Sequence, residues 1–87
     1  MKLKNDFIPH KSKGEVMLVA TVSADFSGLV RGNELFGEIL DLLKNETTEA
    51  DVVKALREIY DAPEGKIEAD VHKVVVELKK IGALEGV

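Results

Sequence analysis

Two kinds of hydrophobic pattern divide the chain into a β-rich beginning and a helical remainder. Residues 16–22 are mostly apolar and β-branched and are too few for a helix, which predicts a strand. Residues 26–31 predict a weaker strand, because Gly28 interrupts them. In the preceding polar segment, Pro9 allows only an edge strand or a short one. The pattern therefore predicts two or three strands within residues 7–31.

The rest of the chain carries apolar residues at helical spacing in three segments, residues 33–44, 48–60 and 64–81. Asn33 is a favourable N-cap for the first helix, and Thr48 opens a sequence resembling a capping box before the second. In the third segment, apolar residues are spaced three or four positions apart. This stripe predicts the buried face of the third helix, formed by Ile67, Val71, Val74, Leu78 and Ile81.

These elements together predict an α+β fold in which a small N-terminal antiparallel β-sheet packs on a three-helix, winged-helix-like bundle. The 87 residues are expected to form a single domain spanning residues 1–87. The short second strand lies beside the helices and leaves a sheet edge available. Such an edge binds an extended peptide as an added strand through main-chain hydrogen bonds, without any catalytic side chain.

Composition narrows the classes of function. The chain has no cysteine, which excludes disulfides and thiolate zinc sites. Its first residues lack the apolar core of a signal peptide, and no apolar run approaches the ~20 residues that span a bilayer. A cytoplasmic protein without a membrane segment is therefore expected. The net charge of −4 argues against tight binding to nucleic acid, which depends on neutralisation of phosphates by Lys and Arg.

The motifs of catalysis and metal binding are incomplete in this sequence. Glu68 and His72 share a helix face but supply only half of a metal-ligand set. No serine lies in a nucleophile elbow, and Gly65-Lys66 lacks the earlier glycine and the following Ser or Thr of a phosphate-binding loop. We therefore predict no catalytic residue, no metal site and no cofactor, and we expect the chain not to be an enzyme.

The third helix has an apolar residue beyond its predicted buried stripe. Val75 lies on the flank of the stripe beside Glu68, His72 and Lys79. Peripheral core and the wall of an open groove both fit this position. An apolar residue among mixed charges is suited to a docked peptide, so we interpret Val75 as a groove wall.

An ordered series of motifs resembles a known family. The series contains Gly14-Glu15 before the first strand, Asp25-Phe26-Ser27-Gly28 as the turn, Gly32-Asn33-Glu34-Leu35 before the first helix and Thr48-Glu49-Ala50-Asp51 before the second. It ends with Tyr60, Asp70-Val71 and a segment running from Leu78 through Gly82 to Leu84. In this order the chain resembles coenzyme PQQ synthesis protein D and the related PqqD-like peptide chaperones, or RiPP recognition elements. Gly32 stands where the family usually has Leu, and Leu35 where it has Thr.

The resemblance implies a three-stranded sheet on three helices and a function without catalysis or cofactor. The leader of a ribosomally made precursor peptide would bind as an added strand and be presented to a modifying enzyme, often a radical S-adenosylmethionine enzyme, in PQQ or other RiPP biosynthesis. Carried over by position, the strand contacts are Phe26, Ser27, Gly28, Leu29, Val30 and Arg31. The helix contacts are Glu68, Val71, His72, Val75 and Lys79.

Two alternatives remain at this point. The first is a winged-helix DNA-binding transcriptional regulator that uses the third helix for recognition. That helix also carries several acidic residues and has no Arg to read guanine. Its basic residues are Lys66, His72, Lys73, Lys79 and Lys80. The second is a weak homodimer in which two exposed strand edges pair with each other.

Overall fold

The structure is a computed structural model, and it describes residues 1–20 and 29–86, with only the backbone of Leu29 described. The described elements are β1 (Lys2–Leu3), β2 (Phe7–Ser12), β3 (Glu15–Ala20), β4 (Leu29–Gly32), α1 (Glu34–Leu42), α2 (Glu49–Ile59), α3 (Lys66–Lys80) and β5 (Leu84–Glu85). Three helices and a small antiparallel sheet confirm the predicted α+β fold. The three helices lie inside the predicted ranges and are each a few residues shorter.

The main sheet is antiparallel, with strand order β2-β3-β4. A two-residue turn at Lys13 and Gly14, both with positive φ, joins β2 to β3 and pairs Ser12 with Glu15. Positive φ at both central residues is typical of a type I′ turn, whose twist suits a hairpin. Pro9 lies in β2, an edge strand, where a missing main-chain donor is tolerated, as the sequence predicted.

A second, two-stranded sheet joins β1 to β5 and was not predicted from the sequence. Lys2 lies opposite Glu85 and Leu3 opposite Leu84. The main-chain N–H of Leu3 also donates to the carbonyl of Leu43 at 2.8 Å, at the end of α1. The two ends of the described chain are therefore held together beside the C-terminus of α1.

Side chains cap the first two helices at the residues that the sequence predicted. Asn33 Oδ1 accepts a hydrogen bond from the N–H of Phe36 at 3.1 Å, and Thr48 Oγ1 accepts one from the N–H of Asp51 at 3.1 Å. Each bond satisfies a main-chain donor that has no partner inside its helix. These caps fix where α1 and α2 begin, and α1 begins directly after β4.

One face of the main sheet and all three helices contribute to a single hydrophobic core. Its most deeply buried large side chains include Leu18 of β3, Ile39 and Leu40 of α1, Leu56 of α2, and Val71, Val75 and Leu78 of α3. The predicted buried stripe of α3 is therefore confirmed at Ile67, Val71 and Leu78, but Val74 and Ile81 are only partly buried. Val75 is 2 % exposed, whereas Val74 is only partly buried.

Candidate functional site

Strand β4 forms one edge of the main sheet, and half of its main-chain groups point away from β3. Glu15 is hydrogen-bonded to β2 across the turn, so the next residue, Val16, directs its main-chain groups to β4 and pairs with Gly32. Because such pairs alternate along antiparallel strands, the N–H and C=O groups of Leu29 and Arg31 face outward. No other described strand pairs with β4 on that side.

A groove of about 340 Å³ runs between this edge and α3. The strand and the start of α1 form one wall and the floor, through Val30, Arg31, Gly32, Asn33, Leu35, Phe36 and Ile39. The other wall is a single face of α3, formed by Lys66, Asp70, Lys73, Val74 and Glu77. The groove therefore combines an apolar floor, a strand edge along one side and a mixed-charge helix face along the other.

The floor depends on the close packing of Phe36 against Gly32. A Cβ atom built on Gly32 would overlap three side-chain atoms of Phe36. The cap by Asn33 fixes the first turn of α1 and so holds the ring of Phe36, which is 8 % exposed, over the end of β4. The absence of a side chain at Gly32 thus makes room for this ring.

Helix α3 presents three different surfaces. Ile67, Val71, Val75 and Leu78 face the core. The groove face described above lies on one side of this stripe. On the other side, Glu68 forms an ion pair with Arg57 of α2, and His72 Nδ1 lies 3.2 Å from Glu49 Oε2 of α2. The two flanks of the buried stripe therefore face different neighbours, β4 and α2.

This arrangement corrects the sequence-based interpretation of α3. Val75 and Val71 are buried, so the prediction that Val75 forms the wall of an open groove is wrong. Glu68 and His72 lie on the flank that faces α2, and the exposed Lys79 does not line the groove. The valine that lines the helix wall of the groove is Val74. Periodicity identified the helix and its buried stripe, and it did not show which flank of the stripe faces the strand.

The predicted strand residues are described only in part. Phe26, Ser27 and Gly28 lie outside the described residues. The backbone of Leu29 belongs to β4, and Val30 and Arg31 belong to β4 and line the groove. The structure thus places these last two beside the groove face of α3.

The sequence analysis missed the floor and the groove face of α3. It gave no role in a site to Leu35 or Phe36, and it considered Lys73 only for the DNA-binding alternative. A sequence signal for the floor did exist: Gly32 and Phe36 are four residues apart and bracket the N-cap of α1. A large ring that folds back over the strand requires a glycine there.

Electrostatic interactions near the site hold α2 and α3 together. The guanidinium of Arg57 hydrogen-bonds the carboxylate of Glu68 and lowers the pKa of Glu68 below its usual value. The same carboxylate raises the pKa of the Arg57 side chain. Both side chains are partly exposed, so the pair is an interhelical contact at the surface and lies on the side of α3 away from the groove.

Within residues 1–20 and 29–86, no polar or charged side chain is buried, and no three His, Cys, Asp or Glu residues cluster as metal ligands would. In the same residues, no helix combines the length and hydropathy needed to cross a bilayer. The chemistry that the described groove supports is main-chain pairing with side-chain contacts on either side.

The chain is similar to one protein family and to solved structures of the same fold. The family model of coenzyme PQQ synthesis protein D (PqqD) matches residues 16–84. Among solved structures, TbiB1 in complex with the TbiA(beta) leader peptide has a TM-score of 0.78 at 20 % identity, covering 100 % of this chain and 98 % of its own. A lasso peptide synthetase B1 complexed with its leader peptide has a TM-score of 0.71 at 21 % identity, covering 94 % and 93 %. No curated protein sequence matches the chain.

Proposed function

The chain belongs to the family of coenzyme PQQ synthesis protein D, and from this premise we propose that it is a non-catalytic module that binds the leader of a precursor peptide. The leader would add to β4 as a further strand, and the domain would present it to a modifying enzyme. One observation carries the proposal: the outward edge of β4 borders a groove whose opposite wall is α3. Both structural neighbours are complexes with leader peptides, which supports the same function here.

Strand addition explains how a short edge holds a peptide. The outward N–H and C=O groups of Leu29 and Arg31 provide main-chain hydrogen bonds that do not depend on peptide sequence. Side chains on alternate peptide residues would then enter the groove, where Val30, Phe36 and Val74 offer apolar contacts. Affinity comes mainly from the main chain and the apolar contacts, and selectivity comes from the groove walls.

The leader would contact the groove face of α3, and the flank that the family resemblance implied would remain in contact with α2. The proposed helix contacts are accordingly Lys66, Asp70, Lys73, Val74 and Glu77. On β4 the proposed contacts are Leu29, Val30 and Arg31. Contacts at Phe26, Ser27 and Gly28 remain predictions from the resemblance.

The modifying enzyme supplies the chemistry in this proposal. Holding the leader raises the effective concentration of the rest of the precursor at an enzyme that is docked to the same domain. The partner would be a radical S-adenosylmethionine enzyme, as in PQQ biosynthesis, or another RiPP-modifying enzyme. The DNA-binding alternative gains no support, because the surface of α3 alternates acidic and basic residues, several of them paired with each other.

Titration of the ¹⁵N-labelled protein with a leader peptide, observed by NMR, tests the proposal. The peptide to use is the one encoded next to this protein's gene, with a scrambled version as control. We expect the largest amide shifts in β4 and on the groove face of α3. Shifts confined to the interface of α2 with α3, or no saturable shift with any neighbouring precursor, would overturn the proposed function.

A further inference from the structure

Five ionisable side chains line the groove: Arg31, Lys66, Asp70, Lys73 and Glu77. Four of them already have partners. Lys66 Nζ lies 3.2 Å from Asp70 Oδ2. Arg31 and Glu77 lie 3.7 Å from oppositely charged residues outside the groove. Lys73 differs from the others, because it has no ion-pair partner among the residues that the structure describes.

The lone lysine gives the groove a charge opposite to that of the whole chain. Three cations and two carboxylates line the groove, while the chain carries a net charge of −4. Since the paired groups largely compensate one another, Lys73 is the source of the local positive charge. An extended peptide in the groove therefore meets one cation that can gain a new partner without breaking an existing pair.

Lys73 is adjacent to the apolar part of the wall. The next residue, Val74, lines the groove together with Val30 and Phe36. A bound peptide could therefore place an apolar side chain against Val74 and a charged side chain against Lys73. We propose that Lys73 makes the groove selective for leaders with an acidic residue close to the apolar residue that enters the groove. This inference rests on the function proposed above and specifies the peptide that it requires.

Strand geometry fixes the spacing of the two peptide residues. Side chains of an added strand face the same way at every second residue and are about 6.6 Å apart there. Adjacent residues face opposite sides of the sheet. The acidic residue that reaches Lys73 and the apolar residue that contacts the groove floor must face the same side of the added strand. They are therefore two positions apart in the peptide.

The expected contribution is modest, because Lys73 is exposed. Exposed ion pairs are weak and screened by salt, so loss of the pair should weaken binding about two- to fivefold in dilute buffer and less in high salt. A difference in affinity of about two- to fivefold is enough to favour some peptides over others when all of them already bind through the main chain. It would not create binding where the edge is unavailable.

Selection from a displayed library of random 12-residue peptides tests the inference without knowledge of the natural leader. The library is selected against the wild-type protein, Lys73→Glu and the matched control Lys54→Glu, which changes an exposed lysine of α2. We expect wild type and Lys54→Glu to enrich an acidic residue two positions from an apolar one. Lys73→Glu should lose this enrichment. Circular dichroism confirms that each variant is folded.

A double-mutant cycle gives the pairwise contribution. One selected peptide and its Glu-to-Gln version are titrated against wild type and Lys73→Gln. Glutamine in the peptide should weaken binding to wild type about two- to fivefold and leave binding to Lys73→Gln unchanged. Equal effects on both proteins, or no acidic enrichment, would overturn the role of Lys73.

The same peptides separate this inference from the function on which it rests. Leu29→Pro removes an outward main-chain donor at the edge of β4. If the selected peptides bind Leu29→Pro as well as they bind wild type, or if no peptide is selected, the proposed function fails and the inference fails with it. If they require the edge but show no coupling to Lys73, only the inference fails.

Discussion

Phe36 packs so closely on Gly32 that position 32 has no room for a Cβ atom. The pair joins the last residue of β4 to the first turn of α1, and the ring becomes part of the groove floor. Position 32 thus carries no side chain, and the ring of a residue four positions later fills the space beside the strand. The packing of these two residues therefore supports both the fold and the groove.

Gly32→Ala should destabilise the protein by about 1–3 kcal/mol, because the added methyl group forces Phe36 out of its place. The measurement is the free energy of unfolding from urea denaturation. Combining Gly32→Ala with Phe36→Ala should cost less than the sum of the two single changes, since alanine at position 36 lacks two of the three atoms that the added methyl group would overlap. Strict additivity would contradict the proposed packing.

Leu29→Pro and Val30→Pro should differ in their effects, because the two N–H groups point in opposite directions. The N–H of Leu29 faces outward, so its loss should weaken leader binding about three- to tenfold while the three-stranded sheet remains. The N–H of Val30 faces β3, where Val30 lies opposite Leu18, so its loss should also lower the stability of the protein.

Calorimetric titration with the leader and urea denaturation separate these two outcomes. If Leu29→Pro lowers stability as much as Val30→Pro does and leaves leader affinity unchanged, the N–H of Leu29 faces β3 and not the outward edge.

Val74→Ala should weaken leader binding about fivefold, since it removes apolar contact area from the groove wall. Val76→Ala is the matched control: both valines are partly buried on the same helix, but only Val74 lines the groove. Fluorescence anisotropy with a labelled leader measures both. A larger effect of His72→Ala than of Val74→Ala would place the leader on the flank beside α2.

Stability should depend on pH through the pair of Glu68 with Arg57. Because Arg57 lowers the pKa of Glu68 in the folded state, the pair stabilises the protein above the carboxyl's unfolded pKa. This stabilisation is lost as the pH falls through the folded pKa. Wild type should therefore unfold at higher urea concentration than Glu68→Gln at pH 7, and the difference should shrink in acid.

Glu58→Gln provides the control for this prediction, because Glu58 is an exposed carboxylate of α2 without an ion-pair partner in the described residues. Its urea midpoint should follow that of wild type across the pH range. A difference between wild type and Glu68→Gln that persists unchanged in acid would show that packing, and not charge, is responsible.

The sequence was sufficient for the elements that depend on local signals. Asn33 and Thr48 predicted the starts of two helices because a cap acts within three residues of itself. The turn between β2 and β3 is likewise local, since it involves only the adjacent residues Lys13 and Gly14. The strands β1 and β5 escaped prediction because each has only two residues and their pairing connects opposite ends of the chain.

The candidate site was predicted less well, for a geometric reason. An apolar stripe has two flanks, and α3 has a valine at each of two adjacent positions, Val74 and Val75. Which valine is buried depends on how the whole helix is rotated against α1 and α2, and this rotation is a tertiary property. The resemblance to the family implied contacts on the strand and on α3, and the structure shows which face of α3 lines the groove beside β4.

The pairing of β1 with β5 has a practical consequence. It brings both ends of the described chain to the C-terminal end of α1, whereas the groove begins at the N-terminal end of that helix. A fluorescent tag, a surface tether or a fused enzyme attached at either end of the described chain would therefore start at the same place, beside the C-terminal end of α1.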